Sequence, residues 1–326
     1  MLISNRNEVF EEIIGQVSAI NLLDAAIQKQ RVAPSYLFKG PEGVGRKLTA
    51  IRFLEGLIKN AEQPKSDIRK RLETHNHPDL LLIEPTYMHQ GNLITQTNAA
   101  IENLNFRTLP QVRLEQIKIV KRFLGKKPVE TKRGMVIIED VHNMNESAAN
   151  ALLKTLEEPN QGIFILISSR PESLLSTIRS RCQEITFNRL NKKEVNEVLD
   201  RKMNNTIDIS NIVQQKEFVN LANGSPGLML KNLEIWETIP DELWTDLKSL
   251  PNNNPIEALS LAKKLTEKLD SNEQIWLIGW LQQYLWNKTT DSKIIRQLET
   301  LRKQIKAFVS PRLAWEVTLL KLQEDL

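Results

Sequence analysis

The residues with the plainest chemical spacing are Gly40-Pro41-Glu42-Gly43-Val44-Gly45-Arg46-Lys47. They keep the glycine pattern of the phosphate-binding loop G-x-x-x-x-G-K-[ST]. In such a loop, backbone N–H groups and the start of the following helix cradle an anion whatever the side chains are. Hydrolysis of a nucleotide asks for more: a lysine that offers a compact charge to the β- and γ-phosphates, and a hydroxyl that holds Mg²⁺. Here Arg46 stands at the lysine position and Lys47 at the hydroxyl position. Arg46 keeps the charge but presents it on a larger, planar fork. Lys47 removes a metal ligand and brings an ammonium towards the place of the metal. Successive helical residues are turned by about 100°, so Lys47 would not stand in for Arg46, and Thr49 is out of register for the hydroxyl. The expectation is a loop of inherited shape, built on Gly40, Gly43 and Gly45, with little or no turnover.

A second constellation is Met135-Val136-Ile137-Ile138-Glu139-Asp140, an apolar strand ending in two carboxylates. This is the Walker B arrangement, in which the first carboxylate orients Mg²⁺ and the second polarises the attacking water. The usual order is Asp-Glu, and here it is reversed: Glu139 is one methylene long and Asp140 one short. The plainer alternative is an acidic pair that faces solvent or pairs with the cations of the loop.

These residues need a strand and a helix around the loop, and both are written in the sequence. Tyr36-Leu37-Phe38 is a short apolar run before it, and Leu48, Ile51, Leu54 and Ile58 share a helical face after it. Further helical signals cover Ser18–Gln30, Leu114–Leu124 and Glu146–Glu158. Leu80–Ile83, Met135–Ile138 and Ile163–Ile167 are continuous apolar runs, as suits a parallel sheet covered on both faces. The alternation predicts an α/β fold of βαβ units. Beyond about residue 190 strand signals stop; a helix is expected over Leu190–Lys202, and Gly224-Ser225-Pro226-Gly227 breaks the pattern. From Ile235 the chain reads as helical, with a polar break at Pro251–Pro255. All six tryptophans (Trp236, Trp244, Trp276, Trp280, Trp286 and Trp315) lie there. Trp276 and Trp280 share a helix face, and packing in a core or interface is favoured over base stacking.

The 326 residues allow two or three domains, and 40% hydrophobic with 26% charged residues is ordinary for a globular chain. No apolar run is long enough to span a bilayer, and the first ten residues hold no signal-peptide core. A single cysteine, Cys182, excludes an intrachain disulfide and a cysteine-cluster zinc site, and fits a reducing, cytoplasmic setting. The net charge of +4 permits nucleic-acid contact without arguing for it. No metal site is expected; His75, His77 and His89 are weak candidates for one.

The segment Asn145–Pro159 reads as a capped amphipathic helix, with Asn145 as N-cap, Glu146 at the positive end, an apolar stripe of Ala149, Leu152, Leu153 and Leu156, and Pro159 as the stop. Its sequence closely resembles the N-A-L-L-K-x-L-E-E-P helix of bacterial clamp-loader subunits within the AAA+ ATPases. Ser180-Arg181-Cys182 resembles the S-R-C motif of the same family. Ile14-Gly15-Gln16, Arg31–Phe38, His77-Pro78-Asp79 and Ser310–Glu316 extend the resemblance over nearly the whole chain.

The resemblance implies an AAA+ P-loop parallel-sheet α/β domain over residues 1–187, a small helical lid over 188–234 and an all-α collar domain over 235–326. It implies that Arg181 serves as an arginine finger in a neighbouring subunit's ATP site, and that Ser168 and Ser169 lie at the sensor-1 position. It implies gamma/tau and delta subunits as neighbours, the beta sliding clamp and primer-template DNA as partners of the assembly, and ATP with Mg²⁺ bound by neighbours and not by this chain. Cys182 is read as a packing residue. Two departures stand out. The zinc-binding cysteines of many relatives are missing from the region after the loop helix, and no arginine follows Gly224-Ser225 where a sensor-2 arginine belongs. Rival expectations are an active gamma/tau-type motor ATPase, which Arg46-Lys47 argues against, and a free-standing nucleic-acid-binding module, against which the short clusters Lys126-Lys127 and Lys132-Arg133 weigh.

Overall fold

The computed structural model describes residues 8–58, 65–102, 104, 106, 110–157, 162–203, 220–250, 254–307 and 309–324. The backbone divides into two compact units, Met1–Val198 and Leu199–Leu326.

The first unit is built on a parallel sheet. Its strands are β1 (Ser35–Lys39), β2 (Leu80–Ile83), β5 (Gly134–Ile138), β6 (Gly162–Ser168) and β7 (Gln183–Thr186), in spatial order β2-β5-β6-β1-β7. A separate antiparallel hairpin joins β3 (Thr86–His89) to β4 (Asn92–Thr95). β5 and β6 are buried along their whole length, which is why they read as unbroken apolar runs. Alternate residues of each central strand feed two cores. Tyr36, Phe38, Ile137 and Ile165 pack on one face with Phe53 and Leu54 of helix α2 (Arg46–Ile58) and Ile20 and Leu23 of α1 (Val17–Gln28). Leu37, Val136, Ile138 and Leu166 pack on the other with Val120 of α5 (Leu114–Leu124) and Leu152 of α6 (Glu146–Leu156).

The expected elements all form, with small shifts at their ends. α2 begins at Arg46, two residues before its expected start, and α1 closes at Gln28. α6 is capped by Asn145, whose side chain accepts the Ala148 N–H at 2.9 Å; Glu158 and Pro159, its expected end, lie outside the described residues. The elements that sequence reading misses are polar or short: β7, the hairpin, α3 (Lys65–Glu73) and α4 (Gln96–Ile101). α7 (Ser176–Arg179) precedes β7, and α8 (Lys192–Met203) fulfils the helix expected after residue 190.

A buried carboxylate fixes one end of the sheet. Asp79 is 3% exposed, and its oxygens accept the N–H groups of Val129, Glu130 and Thr131 at 2.7–2.8 Å and the Thr131 hydroxyl at 3.0 Å. It thereby clamps the loop that leads from α5 into β5. Burial alone would raise its pKa, but these donors outweigh that and hold it below the ordinary value.

The second unit holds α9 (Pro226–Thr238), α10 (Asp241–Lys248), α11 (Pro255–Lys268), α12 (Ser271–Thr289), α13 (Ser292–Lys306) and α14 (Pro311–Glu324). The expected boundary at 234–235 falls inside the continuous helix α9. α12 starts with a reciprocal cap, Asp270 accepting the Glu273 N–H while Glu273 accepts the Asp270 N–H. The tryptophans build this unit's core. Trp236 stacks on Trp244 with ring centroids 3.8 Å apart, and Trp280 meets Trp244 edge-on at 4.9 Å. Trp315 donates its indole N–H to Gln274 at 3.0 Å, and Trp276 donates to Asn232 at 2.9 Å. Trp286 is exposed and stands apart from this packing. Trp236, Trp244, Trp276, Trp280 and Trp315 therefore take part in packing within the chain, one of the two readings, core or interface, that the sequence favoured over base stacking.

Replacing Asp79 by alanine strands three buried backbone donors at 1–3 kcal/mol each, partly relieved by water, so a loss of about 3 kcal/mol in urea denaturation at pH 7 is expected. Because the folded-state pKa is depressed, the contribution of Asp79 is complete above the ordinary aspartate value of 3.8 and is lost as pH falls through the folded value. The gap between wild type and Asp79→Ala should therefore begin to narrow below about pH 4.

Candidate functional site

The register of the three central strands brings the motifs together. Lys39 at the end of β1 lies opposite Ser168 at the end of β6, and Ile138 of β5 lies opposite Leu166. The phosphate-loop residues, Glu139-Asp140 and Ser168-Ser169 thus leave the sheet along one edge. The loop needs its glycines there. At Gly40 a Cβ would stand 2.3 Å from the Phe187 carbonyl oxygen. At Gly45 the φ of +93° is closed to other residues, although the space beside it is open. Gln16 pins the loop to the strand β7 side: its amide donates to the Asn188 carbonyl at 2.7 Å and to the Val44 carbonyl at 3.4 Å, and it accepts the Asn188 N–H at 2.9 Å.

The two replaced positions have different fates. Arg46 is only 6% exposed, and its Nη1 atom has no hydrogen-bond partner among the described residues. Burial lowers its pKa, while the negative charges of Asp140, Glu42 and Glu139 act the other way. Lys47 reaches across the edge of the sheet: its Nζ lies 2.5 Å from Glu139 Oε1 and 3.2 Å from Glu84 Oε1. Burial disfavours its charge, yet the bond and charge of Glu139 together with Glu84 raise its pKa above the ordinary lysine value. Burial pushes the Glu139 carboxyl up, and Lys47 offsets part of that. Of the alternatives open for the acidic pair, Glu139 follows the one in which it pairs with a loop cation. Asp140 takes a left-handed turn, φ +44°, and leads into the short segment that carries His142.

His142 is the residue that sequence reading misses. Its ring nitrogens lie 3.3 Å from the hydroxyls of Ser168 and Ser169. Burial lowers its pKa, so the neutral ring offers one donor and one acceptor to the two serines. Ser168 is fully buried and also accepts the Arg170 N–H at 3.2 Å. The signal was its position two residues past the acidic pair, on the turn that faces the end of the next strand.

Arg181 is not brought to this edge. It lies just before β7, whose first residue Gln183 pairs with Tyr36 near the start of β1, so it sits at the opposite edge from the phosphate loop. It is half-exposed, donates to Glu157 at 2.7 Å and to the Thr177 carbonyl at 3.0 Å, and is held at the surface by these bonds. Cys182, beside it, is buried enough to push its thiol up to about 12, which fits a packing role and no nucleophilic one. The three histidines weighed as metal ligands have separate surroundings. His75 feels Lys47 and Glu84, His77 accepts the Asp79 N–H at 3.1 Å, and His89 meets the ring of Phe106. Ser225 caps α9 by accepting the Leu228 N–H at 3.2 Å.

A P-loop between the first strand and helix of a five-stranded parallel sheet, facing a strand-end acidic pair, and followed by a helical unit, defines an AAA+ type of protein. The chain belongs to the clamp-loader family described as "DNA polymerase III, delta subunit", whose model matches residues 15–191. Residues 193–322 match the model of the "Cyanobacterial DNA polymerase III delta prime, C-terminal domain". Among curated relatives, DNA polymerase III subunit delta' of Bacillus subtilis is 31% identical over 56% of this chain and 51% of its own length. Subunit delta' of Pseudomonas aeruginosa is 29% identical over 46% of this chain and 42% of its own. Subunit tau of Bacillus subtilis is 26% identical over 71% of this chain and 37% of its own. The chain thus spans about half the length of these relatives or less. No helix among the described residues is long and apolar enough to cross a membrane.

Lys47→Met leaves the Glu139 carboxylate without its nearest cation. The pair is partly exposed, so a loss of about 1 kcal/mol at pH 7 is expected in thermal or urea denaturation. The loss should shrink as pH falls through the raised pKa of Glu139, because the carboxyl then neutralises and no longer needs the cation. A gap that does not vary with pH would show that Lys47 acts by something other than charge.

Proposed function

We propose that this chain is a delta-prime-type subunit of the DNA polymerase III clamp loader, with a degenerate nucleotide site of its own and an arginine lent to a neighbour. The observation that carries the reading is the contact of Lys47 with Glu139 at 2.5 Å. In a working site those two positions hold a divalent cation between a hydroxyl and a carboxylate. Here the ammonium spends the carboxylate within the chain, and no hydroxyl replaces it. Arg46 adds a buried guanidinium where the site would need a compact ammonium.

Arg181, at the far edge of the sheet from its own phosphate loop, would complete the ATP site of an adjacent gamma or tau subunit. The 193–322 unit would serve as lid and collar, joining this chain to gamma/tau and delta. The assembly would open the beta clamp and place it on primer-template DNA in the cytoplasm, with ATP and Mg²⁺ bound by the neighbours. A gamma/tau-type motor reading rests on the similarity to tau, and it requires the two loop ligands that Arg46 and Lys47 replace.

Reconstituted with gamma/tau, delta and the beta clamp, the Arg181→Ala variant should lower clamp- and DNA-stimulated ATP hydrolysis by about 10²-fold or more at the site it serves, in line with arginine fingers acting in trans. Arg46→Ala should leave that rate within about twofold. An unchanged rate with Arg181→Ala defeats the finger assignment, and turnover by the isolated chain defeats the degenerate site.

A further inference from the structure

An arginine at the surface can serve a reacting phosphate only if the backbone beneath it is aimed. The helix that leads to Arg181, α7, is four residues long, too short to be stable on its own hydrogen bonds. After it the chain turns tightly. The Ser180 N–H donates to the Ser176 carbonyl at 2.9 Å, the Arg181 N–H to the Ile178 carbonyl at 3.1 Å and the Cys182 N–H to the Arg179 carbonyl at 3.1 Å. Two side chains of α7 fasten this corner to the domain. Ile178 is fully buried in the core that holds Leu152 and Leu166. Arg179, the last residue of α7, donates its Nε–H to Glu184 Oε1 at 3.3 Å.

Glu184 stands on β7 in register with Leu37 of β1. Side chains alternate along a strand, so Glu184 and Lys39 share the sheet face of Leu37, the face that Leu152 of α6 and Ile178 of α7 cover. There the second oxygen of Glu184 accepts a hydrogen bond from the Lys39 ammonium. Each carboxylate oxygen is thus taken by a different cation. The Lys39 bond, joined by that of Arg179, holds the Glu184 carboxyl below the ordinary glutamate value against the effect of burial, so it is charged at neutral pH. Partly exposed ion pairs are weak one by one. A carboxylate shared by two cations, one of them fixed on a central strand, is the network case in which they count. Lys39 is also the residue before Gly40, so the bridge runs from the end of α7 to the root of the phosphate loop.

We propose, on the reading of Arg181 as a finger lent to a neighbour, that Glu184 is its positioning residue: by bridging Lys39 and Arg179 it fixes the backbone from which Arg181 reaches the adjacent subunit's nucleotide. The contacts of the corner divide into two kinds. The Arg181 guanidinium gives up its bond to Glu157 when it reaches outwards. The bond between Arg179 and Glu184 uses other side chains and persists through that movement. Both oxygens of Glu184 are taken, so it acts through Arg181 and not on the nucleotide. Its loss therefore costs alignment in the transition state and leaves ATP binding alone.

Glu184→Gln keeps the size of the side chain and removes its charge. In the complex reconstituted with gamma/tau, delta and the beta clamp, it should lower kcat for stimulated ATP hydrolysis at the site that Arg181 serves by about five- to tenfold, less than the roughly 10²-fold of a full 1 Å misplacement. KM for ATP should stay within about twofold. Arg179→Gln severs the same bridge from its other side and should give a similar loss; it carries the test if the melting curve shows that Glu184→Gln does not fold. Added to Arg181→Ala, Glu184→Gln should lower the rate no further, since no arginine is left to aim. If Arg181→Ala lowers kcat while Glu184→Gln and Arg179→Gln leave it unchanged, the positioning role is overturned and the finger reading stands. A loss from Glu184→Gln that persists in full beside Arg181→Ala also overturns it, because general damage to the domain gives that pattern. If Arg181→Ala itself changes nothing, the finger reading falls, and the positioning role with it.

Discussion

The alignment of three strand ends is the constraint from which the rest follows. β1, β5 and β6 are hydrogen-bonded in a fixed parallel register, Lys39 opposite Ser168 and Ile138 opposite Leu166. A one-residue slip would exchange the two faces of each strand and move its apolar side chains between the two cores. Because both cores are fully packed, the register is set by burial and not by the loops. The phosphate loop, the acidic pair and the two serines then have no choice but to share an edge. The sheet is a scaffold for a nucleotide site whether or not the site still works.

At that edge Lys47 pairs with Glu139 and Glu84. The loop supplies two cations and the end of β5 supplies two carboxylates, with Glu84 from the end of β2 as a third. An isolated buried charge would be prohibitive, and the opposite charges nearby offset that cost. His142 does the equivalent for the hydroxyls of Ser168 and Ser169. Lys47 thus lies between the carboxylates of Glu139 and Glu84. Two buried polar atoms at this edge have no hydrogen-bond partner among the described residues, Arg46 Nη1 and Glu139 Oε1, and the second meets Lys47 as an ion pair.

Much of this was legible in the residues. The glycines of the loop, the unbroken apolar strands and the Asn145 cap each have a single physical reading, and each formed as read. What was hidden depended on tertiary placement. β7 is a polar edge strand, Gln183-Glu184-Ile185-Thr186, with only one fully buried side chain, so no periodicity betrays it. Lys47 was known to lie where a hydroxyl belongs, but its reach to Glu139 and Glu84 depends on how far β5 and β2 stand from α2. His142 carries no local signal beyond its neighbours. The shape of the loop after α5 is set by Asp79, about fifty residues earlier, and no local pattern reveals that.

The bond between Arg181 and Glu157 has a consequence for the chain by itself. It joins two side chains with solvent around both, a type of pair worth at most about 1 kcal/mol. An energy of that size leaves the Glu157 contact open in about one molecule in six at any moment, with the bond to the Thr177 carbonyl remaining. The arginine is parked, not locked. A partner that selects the released form pays a penalty of less than tenfold in affinity, and salt would lower that penalty further by loosening the resting position.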